Sequence, residues 1–311
     1  MARSIILDSD PGHDDAVAIM LAVGSPDIDL LGVTTVGGNQ SLDKVTYNAR
    51  AVLELVGASD VPVHAGCARP LVAALTDGAY MHGETGLDGV DLPAPSRPLD
   101  EGHAATWIVD TIMASEPDSV TLVATAPLTN IALALRLEPR IVGRVHEVVI
   151  MGGGCHVGNR TPVAEFNVAC DPEAAHIVLD EPWPLTMVGL DVTHQALCTH
   201  EVQARLAAAN HRLAPAVNGL MDFFRSTYHD RQAFPPPPTH DPCAVAYVID
   251  PSVVRTVACP LDVELAGTLT RGMTVADLRA QAPGGCNTRV GTELDFDGFW
   301  GLVADALRRI G

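Results

Sequence analysis

An apolar run that ends in a crowd of carboxylates constrains this chain more than any other feature. Ser4-Ile5-Ile6-Leu7 passes directly into Asp8-Ser9-Asp10-Pro11-Gly12-His13-Asp14-Asp15, which places four carboxylates within eight residues. Held side by side, such groups repel one another strongly, so the segment predicts something cationic among them. The apolar run reads as a short buried strand, Pro11-Gly12 as a turn, and Ala16 to Val23 as a buried helix. Open α/β folds place ligands at strand-to-helix turns on the carboxyl edge of the sheet, so the cluster should face a crevice. Hard divalent cations such as Ca²⁺ or Mg²⁺ prefer all-oxygen ligands, and this segment supplies them. A capped surface turn is the plainer alternative, but a helix cap needs one carboxylate and not four.

Strand-like and helix-like segments then alternate through the first two hundred residues, the pattern of parallel βαβ units. Ile28 to Val36 reads as a strand ending in Gly37-Gly38-Asn39, Ser41 caps a helix to about Val56, and Val61 to His64 is a short strand. Pro70 to Pro98 reads as a long polar loop, of the size that carries function when ordered. Beyond it come a helix at His103 to Ala114, a strand at Val120 to Thr125, a helix opened by Pro127, and a strand at Glu147 to Met151. Gly152-Gly153-Gly154 follows, lacks the Gly-Lys-Ser/Thr of a P-loop, and reads as a flexible turn before an irregular loop with Asn159, Glu165 and Asn167. Short strands near Thr256 to Cys259, Leu261 to Leu265 and Arg289 to Leu294 precede a final amphipathic helix. The proline run Pro235 to Pro238 reads as a stiff loop edge, so the expectation is one α/β domain over residues 1–311 with an open, mostly parallel (mixed) central sheet flanked by helices.

Composition narrows the function. A formal net charge of -19 disfavours nucleic acid and anionic membranes as partners. Lys44 is the sole lysine, which disfavours Schiff-base chemistry and phosphate gripping and makes a neutral small molecule the easier substrate. Seven cysteines without CxxC spacing point to free thiols in a reducing compartment. Met1-Ala2-Arg3 enters the first strand at once, and no 18-residue apolar stretch is present. The expectation is a cytoplasmic protein without a signal peptide or membrane span.

Several motifs together resemble one family, the calcium-dependent nucleoside hydrolases of the inosine-uridine and pyrimidine-preferring branch. These are the opening Asp8 to Asp15, Gly37-Gly38-Asn39, His82-Gly83-Glu84-Thr85-Gly86, Thr125 to Asn130, Glu165-Phe166-Asn167 followed by Asp171-Pro172-Glu173-Ala174-Ala175, and His240-Asp241-Pro242. The resemblance implies a Rossmann-like fold and cleavage of the N-glycosidic bond of ribonucleosides, with Ca²⁺ held by Asp10, Asp15, Asp241 and the backbone carbonyl of Thr125. It implies that Asp14, Asn39, Asn159, Glu165 and Asn167 grip the ribose hydroxyls, that Met151 lies beneath the sugar, and that Asp10 accepts a proton from the calcium-bound water. His240 is the candidate acid for the departing base, with His82 as a second contact. A homo-oligomer, tetramer or dimer, is expected from the same resemblance.

Trp107, Trp183 and Trp300 fall outside the segments assigned to the base pocket, which favours uridine, cytidine or mixed use over purine specificity. The proline run replaces the glycine-rich turn usual before the His-Asp pair, and Tyr228 or Gln232 is expected to touch the base. His13 could simply face solvent. Two other readings compete: a calcium- or ribose-binding module without turnover, and a haloacid-dehalogenase-like phosphatase, which would want a lysine later in the chain than Lys44.

Overall fold

The structure, a computed structural model, describes residues 2–232 and 236–311, with the side chains of 230–232 also outside the description. Strand β1 (Arg3–Ser9) is buried from Ile5 onward. Its side chains alternate between two apolar layers: Ile5 and Leu7 join one cluster and Ile6 the other. Burial on both faces is the condition of a central strand in a parallel sheet, and it explains an unbroken apolar run.

The remaining strands are β2 (Ile28–Thr35), β3 (Val63–Ala65), β4 (Val120–Ala124), β5 (Val145–Met151), β6 (Leu185–Val188), β7 (Val254–Ala258), β8 (Leu261–Val263), β9 (Thr274–Ala276) and β10 (Thr288–Leu294). Eight of them form one sheet in the order β3-β2-β1-β4-β5-β6-β10-β7. All its neighbours pair in parallel except β10 and β7. Helices His13–Gly24, Leu42–Val56, Pro242–Ile249 and Phe296–Arg309 cover the face that carries Ile5 and Leu7. Helices Ala104–Ala114, Thr129–Leu137 and Pro172–Leu179 cover the other.

This order places the functional crevice. The chain leaves β1 for β2 and β3 on one side, then returns to β4 on the other, so connections diverge at the carboxyl ends of β1 and β4. Asp10 and Thr125 are the first residues beyond those strands.

Several local expectations change. The third strand starts at Val63 rather than Val61. Leu261–Val263 pairs antiparallel with β9 in a separate two-stranded sheet. The segment at 70–98 contains the short helix Ala79–His82. Asn167 lies in the helix Phe166–Cys170 rather than in a loop. Strand β6 and the helices His200–Ala209 and Ala214–Gln232 have no counterpart in the sequence reading. The last of these carries Pro215 and Gly219, which mask its periodicity, although proline is tolerated in a first helical turn.

Candidate active site

The carboxylates sit where β1 gives way to its helix. Asp15 is held by four donors: Ser9 Oγ at 2.6 Å, Thr125 Oγ1 at 3.1 Å, the Gly12 amide at 3.0 Å and Asn39 Nδ2 at 3.1 Å. The Gly12 contact is the backward arm of a capping box, in which a third-position carboxylate reaches the N-cap amide. Asp10 is held on one side only. Its Oδ2 accepts the Asn39 amide at 2.6 Å, while its Oδ1 is buried with no hydrogen-bond partner among the described residues. Asp14 accepts the His240 amide at 3.1 Å. Oxygens of Asp14, Asp15 and Asp241 lie within 4.8 Å of one another, all buried.

Such a group cannot be fully ionised without compensation. Burial pushes the Asp14 carboxyl up to about 7, with the Asp15 charge adding to it, and burial likewise holds Asp10 and Asp241 well above the usual range. No lysine or arginine is among the described residues that line the cleft. Protons or a metal ion must therefore supply the missing positive charge. An orphaned oxygen on Asp10 and three convergent carboxylates fit a hard cation, so the cluster could hold a metal ion.

Two glycines make room for this arrangement. A Cβ on Gly38 would lie 2.0 Å from Asp10 Oδ2, and one on Gly12 would lie 2.5 Å from His82 Nδ1. Neither has a positive φ, so the requirement is space rather than conformation.

A second wall comes from the segment after β5. Glu165 caps the Phe166–Cys170 helix: Oε1 accepts the Asn167 amide at 2.9 Å, and Oε2 accepts the Val168 amide at 3.1 Å and the Gly153 amide at 2.9 Å. Asn167 Nδ2 donates to the carbonyls of Thr125 and Met151, each at 3.1 Å. Asn159 Oδ1 accepts the Phe166 amide at 2.9 Å. Flexibility is therefore the wrong account of Gly152-Gly153-Gly154. Gly153 has a φ of +72°, a Cβ there would meet Thr274 Cγ2 at 2.6 Å, and its amide fixes Glu165.

The opposite end of the cleft is aromatic. Tyr228 Oη lies 2.6 Å from His240 Nε2, and Thr193 Oγ1 lies 2.7 Å from His240 Nδ1. Phe224, one helical turn before Tyr228, meets it edge-on with ring centroids 4.8 Å apart. His82 lines the cleft, its Nδ1 3.2 Å from the His13 amide and 3.1 Å from His13 Nδ1. His13 does not face solvent. It is fully buried, stacks on Phe223 at 4.9 Å and sets Nε2 2.9 Å from the Asp88 carbonyl. Burial lowers His13 to about 4, His240 to about 3 and His82 well below its usual value. Lys44 braces the neighbouring loop by donating to the Gln40 side chain and the Glu84 carbonyl.

These walls enclose one cleft that opens to solvent. Asp14, Asn39, His82, Thr125, Met151, Asn159, Glu165, Asn167, His240 and Asp241 all line it, whereas Asp10 and Asp15 lie behind that surface. Gly78, Tyr80, Met81, Phe166, Phe224 and Tyr228 complete the lining among the described residues. Of these, Phe224 and Tyr228 could have been paired from their four-residue spacing on one helix. The tryptophans stay away: Trp183 and Trp300 are in the core, and Trp107 stacks on His64. Gln232 and Pro235 lie outside the described side chains. The run from Pro236 is pinned instead to the 196–198 segment, through Cys198 to the Pro237 carbonyl and Thr239 to the Ala196 carbonyl.

Comparison with known proteins gives the same picture over the whole length. A family profile described as inosine-uridine preferring nucleoside hydrolase matches residues 5–301. An inosine-uridine preferring nucleoside hydrolase of Leishmania major is 56% identical, covering 100% of this chain and 99% of that one. A pyrimidine-specific ribonucleoside hydrolase of Escherichia coli is 42% identical, with 98% and 97% covered. Among solved structures, a purine-preferring ribonucleoside hydrolase from Gardnerella vaginalis superposes with a TM-score of 0.93 at 30% identity, covering 99% of both chains.

Proposed function

This chain belongs to the family of inosine-uridine preferring nucleoside hydrolases, and from that premise we propose that it hydrolyses uridine, cytidine and inosine to the free base and ribose. The observation that carries this reading is the convergence of buried carboxylates on a cleft that no lysine or arginine lines among the described residues. Breaking a C–N glycosidic bond builds positive charge on the sugar, and carboxylates fixed beforehand around it stabilise that charge in the transition state. A phosphorylated sugar would meet repulsion instead.

Asp10, Asp15, Asp241 and the Thr125 carbonyl are the proposed holders of the ion, with calcium the expected one because every donor is oxygen. Bound there, calcium would gather ribose hydroxyls and polarise the attacking water. Asp10 offers its unpartnered Oδ1 to the proton of that water. Asp14, Asn39, Asn159, Glu165 and Asn167, which line the cleft with Met151, would accept from and donate to the ribose hydroxyls, with Met151 beneath the sugar. At the other end His240 acts through Tyr228, whose hydroxyl touches its Nε2, while His82 provides a second contact to the base. Direct attack by water implies inversion at the anomeric carbon, so a trapped ribosyl-enzyme would contradict the scheme.

The test is ribose release from uridine, cytidine, inosine and adenosine, measured as purified, after chelation and after return of Ca²⁺. Release that chelation abolishes and Ca²⁺ restores supports the reading; no release from any nucleoside favours a binding module that lost turnover. The homo-oligomer and cytoplasmic location remain part of the proposal, and a monomer on gel filtration would remove the former.

A further inference from the structure

We propose that Arg160 is a positioning residue for substrate binding: its guanidinium lies over the ring of Tyr80 and holds that ring in place as one side of the base site. This rests on the nucleoside-hydrolysis reading above. The two residues come from different walls of the cleft. Tyr80 belongs to the helix Ala79–His82, lines the cleft and packs against Met81, Phe224 and Tyr228. Arg160 follows Asn159 in the wall after β5, is exposed, and is not among the residues that line the cleft. Its Cζ stands 5.4 Å from the centroid of the Tyr80 ring. In this arrangement it acts on the cleft through Tyr80.

The two partners are supported unequally. The amides of Asn159, Arg160 and Thr161 converge on the Ala164 carbonyl at 3.2, 3.0 and 3.2 Å, and the Ala164 amide donates to Thr161 Oγ1 at 2.9 Å. Ala164 is fully buried and bridges to Met273. The Arg160 side chain therefore springs from a fixed root. Tyr80 sits on a helix of four residues, too short to hold itself. That helix is anchored where the Gly78 amide meets the carbonyls of Gly38 and Asn39, at 3.2 and 3.1 Å. Met81 and His82 are buried but Tyr80 is only half-buried, which leaves part of its ring to the guanidinium. A guanidinium stacks on an aromatic face through the ring quadrupole and needs no carboxylate partner.

That last property suits this cleft. An arginine pointing inward would pair with the carboxylates and cancel the field that favours positive charge on the sugar. Set behind an aromatic ring, the same side chain ties one wall to the other and leaves those carboxylates alone. Tyr80 belongs to the aromatic group at the base end, so loosening it should weaken the hold on the base. Ribose alone, gripped at the sugar end, should not sense the change. Arg160 makes and breaks no bond in the reaction.

The experiment compares Arg160→Gln, which removes the charge, with Arg160→Lys, which keeps it. Each is assayed for uridine turnover and for inhibition of that turnover by free ribose. R160Q should raise KM for uridine about two- to fivefold, the range of a cation–π contact at an exposed site, with kcat within about twofold of wild type. The inhibition constant of ribose should not move. R160K should return KM toward the wild-type value. In a Tyr80→Leu background, R160Q should add nothing, because residues in contact do not contribute independently. An unchanged KM in R160Q would overturn the proposal, and so would an R160Q effect that persists in full beside Y80L. A parallel rise in the ribose inhibition constant would also overturn it, by making Arg160 a brace for the sugar wall. If wild type releases ribose from no nucleoside, the hydrolase reading itself falls and this proposal with it, a result that the control shows before any variant is assayed.

Discussion

The two ends of the cleft are built by opposite means. At the sugar end, Asp10, Asp14, Asp15 and Asn39 follow the carboxyl ends of neighbouring strands, so sheet register alone brings them together: Ser9 pairs with Thr35 and Asp8 with Ala124. At the base end, Phe224, Tyr228, His82 and His240 come from a long helix, a four-residue helix and a loop that share no ladder. One end is fixed by the main chain of the sheet; the other is fixed by side chains that hold one another. Damage at the sugar end should therefore remove activity from every nucleoside alike, and damage at the base end should act according to the leaving group.

The strongest test of that contrast is Gly38→Ala. A Cβ there would come 2.0 Å from Asp10 Oδ2 and 3.0 Å from Pro127 Cδ, so Asp10 must turn out of its bond with the Asn39 amide. Displacing groups that orient metal ligands commonly costs about 10–100-fold, and here a proposed ligand itself is moved. Steady-state assays should show at least about a hundredfold loss in kcat/KM, on the scale of one lost transition-state contact, equal for uridine and inosine. A loss confined to one of them would break the division.

The same contrast governs what could be read from the chain alone. The parallel sheet and the acidic turn were legible because a doubly buried strand leaves an unbroken apolar run, and because Asp10, Asp14 and Asp15 are adjacent in sequence as in space. Glu165 and Asn167 were legible as polar residues, but their place on a helix was not, since Phe166–Cys170 spans little more than one turn. His13 was misread because motif position says nothing about which side of a turn a ring takes; Phe223, 210 positions later, decides that. Tyr228 was named, but Thr193, which meets the other ring nitrogen of His240, carries no signal. A lone threonine in a four-residue helix resembles any other until β6 brings it against His240.

Phe224→Ala should sharpen the contrast from the base side. Phe224 lines the cleft and lies against both Tyr228 and His82, with centroids 4.8 and 5.4 Å away. Stacking a base on an aromatic ring is worth about 1–3 kcal/mol, and purines offer more surface to such a ring. The expected outcome is a rise in KM of about tenfold for inosine, near the low end of that range, with a smaller rise for uridine. Release of 4-nitrophenol from its riboside should change least. An identical loss on all three substrates would mean that the ring supports the sugar end after all.

The smallest effect concerns pH, and it separates the two ends by sign. Burial raises Asp8 and Asp14 to about 7, so the folded chain keeps protons that the unfolded chain releases above about pH 4. That stability is full below the unfolded value and is lost as pH rises toward 7. The histidines run the other way. His13 and His240 are lowered to about 4 and about 3, so the unfolded chain binds protons there that the folded chain refuses, and stability falls as pH drops below about 6.5. Without metal the two slopes oppose each other between about pH 4 and 6.5, and the melting temperature should vary little. A cation at the acidic cluster replaces the protons on its carboxylates and removes most of the first slope. The rise in melting temperature on adding Ca²⁺ should therefore grow from pH 5 to pH 7 and then level off, a change of a few degrees in thermal scans. A gain that is constant over this range would mean the carboxylates are already ionised before the metal arrives, and the sugar end would owe its shape to its hydrogen bonds alone.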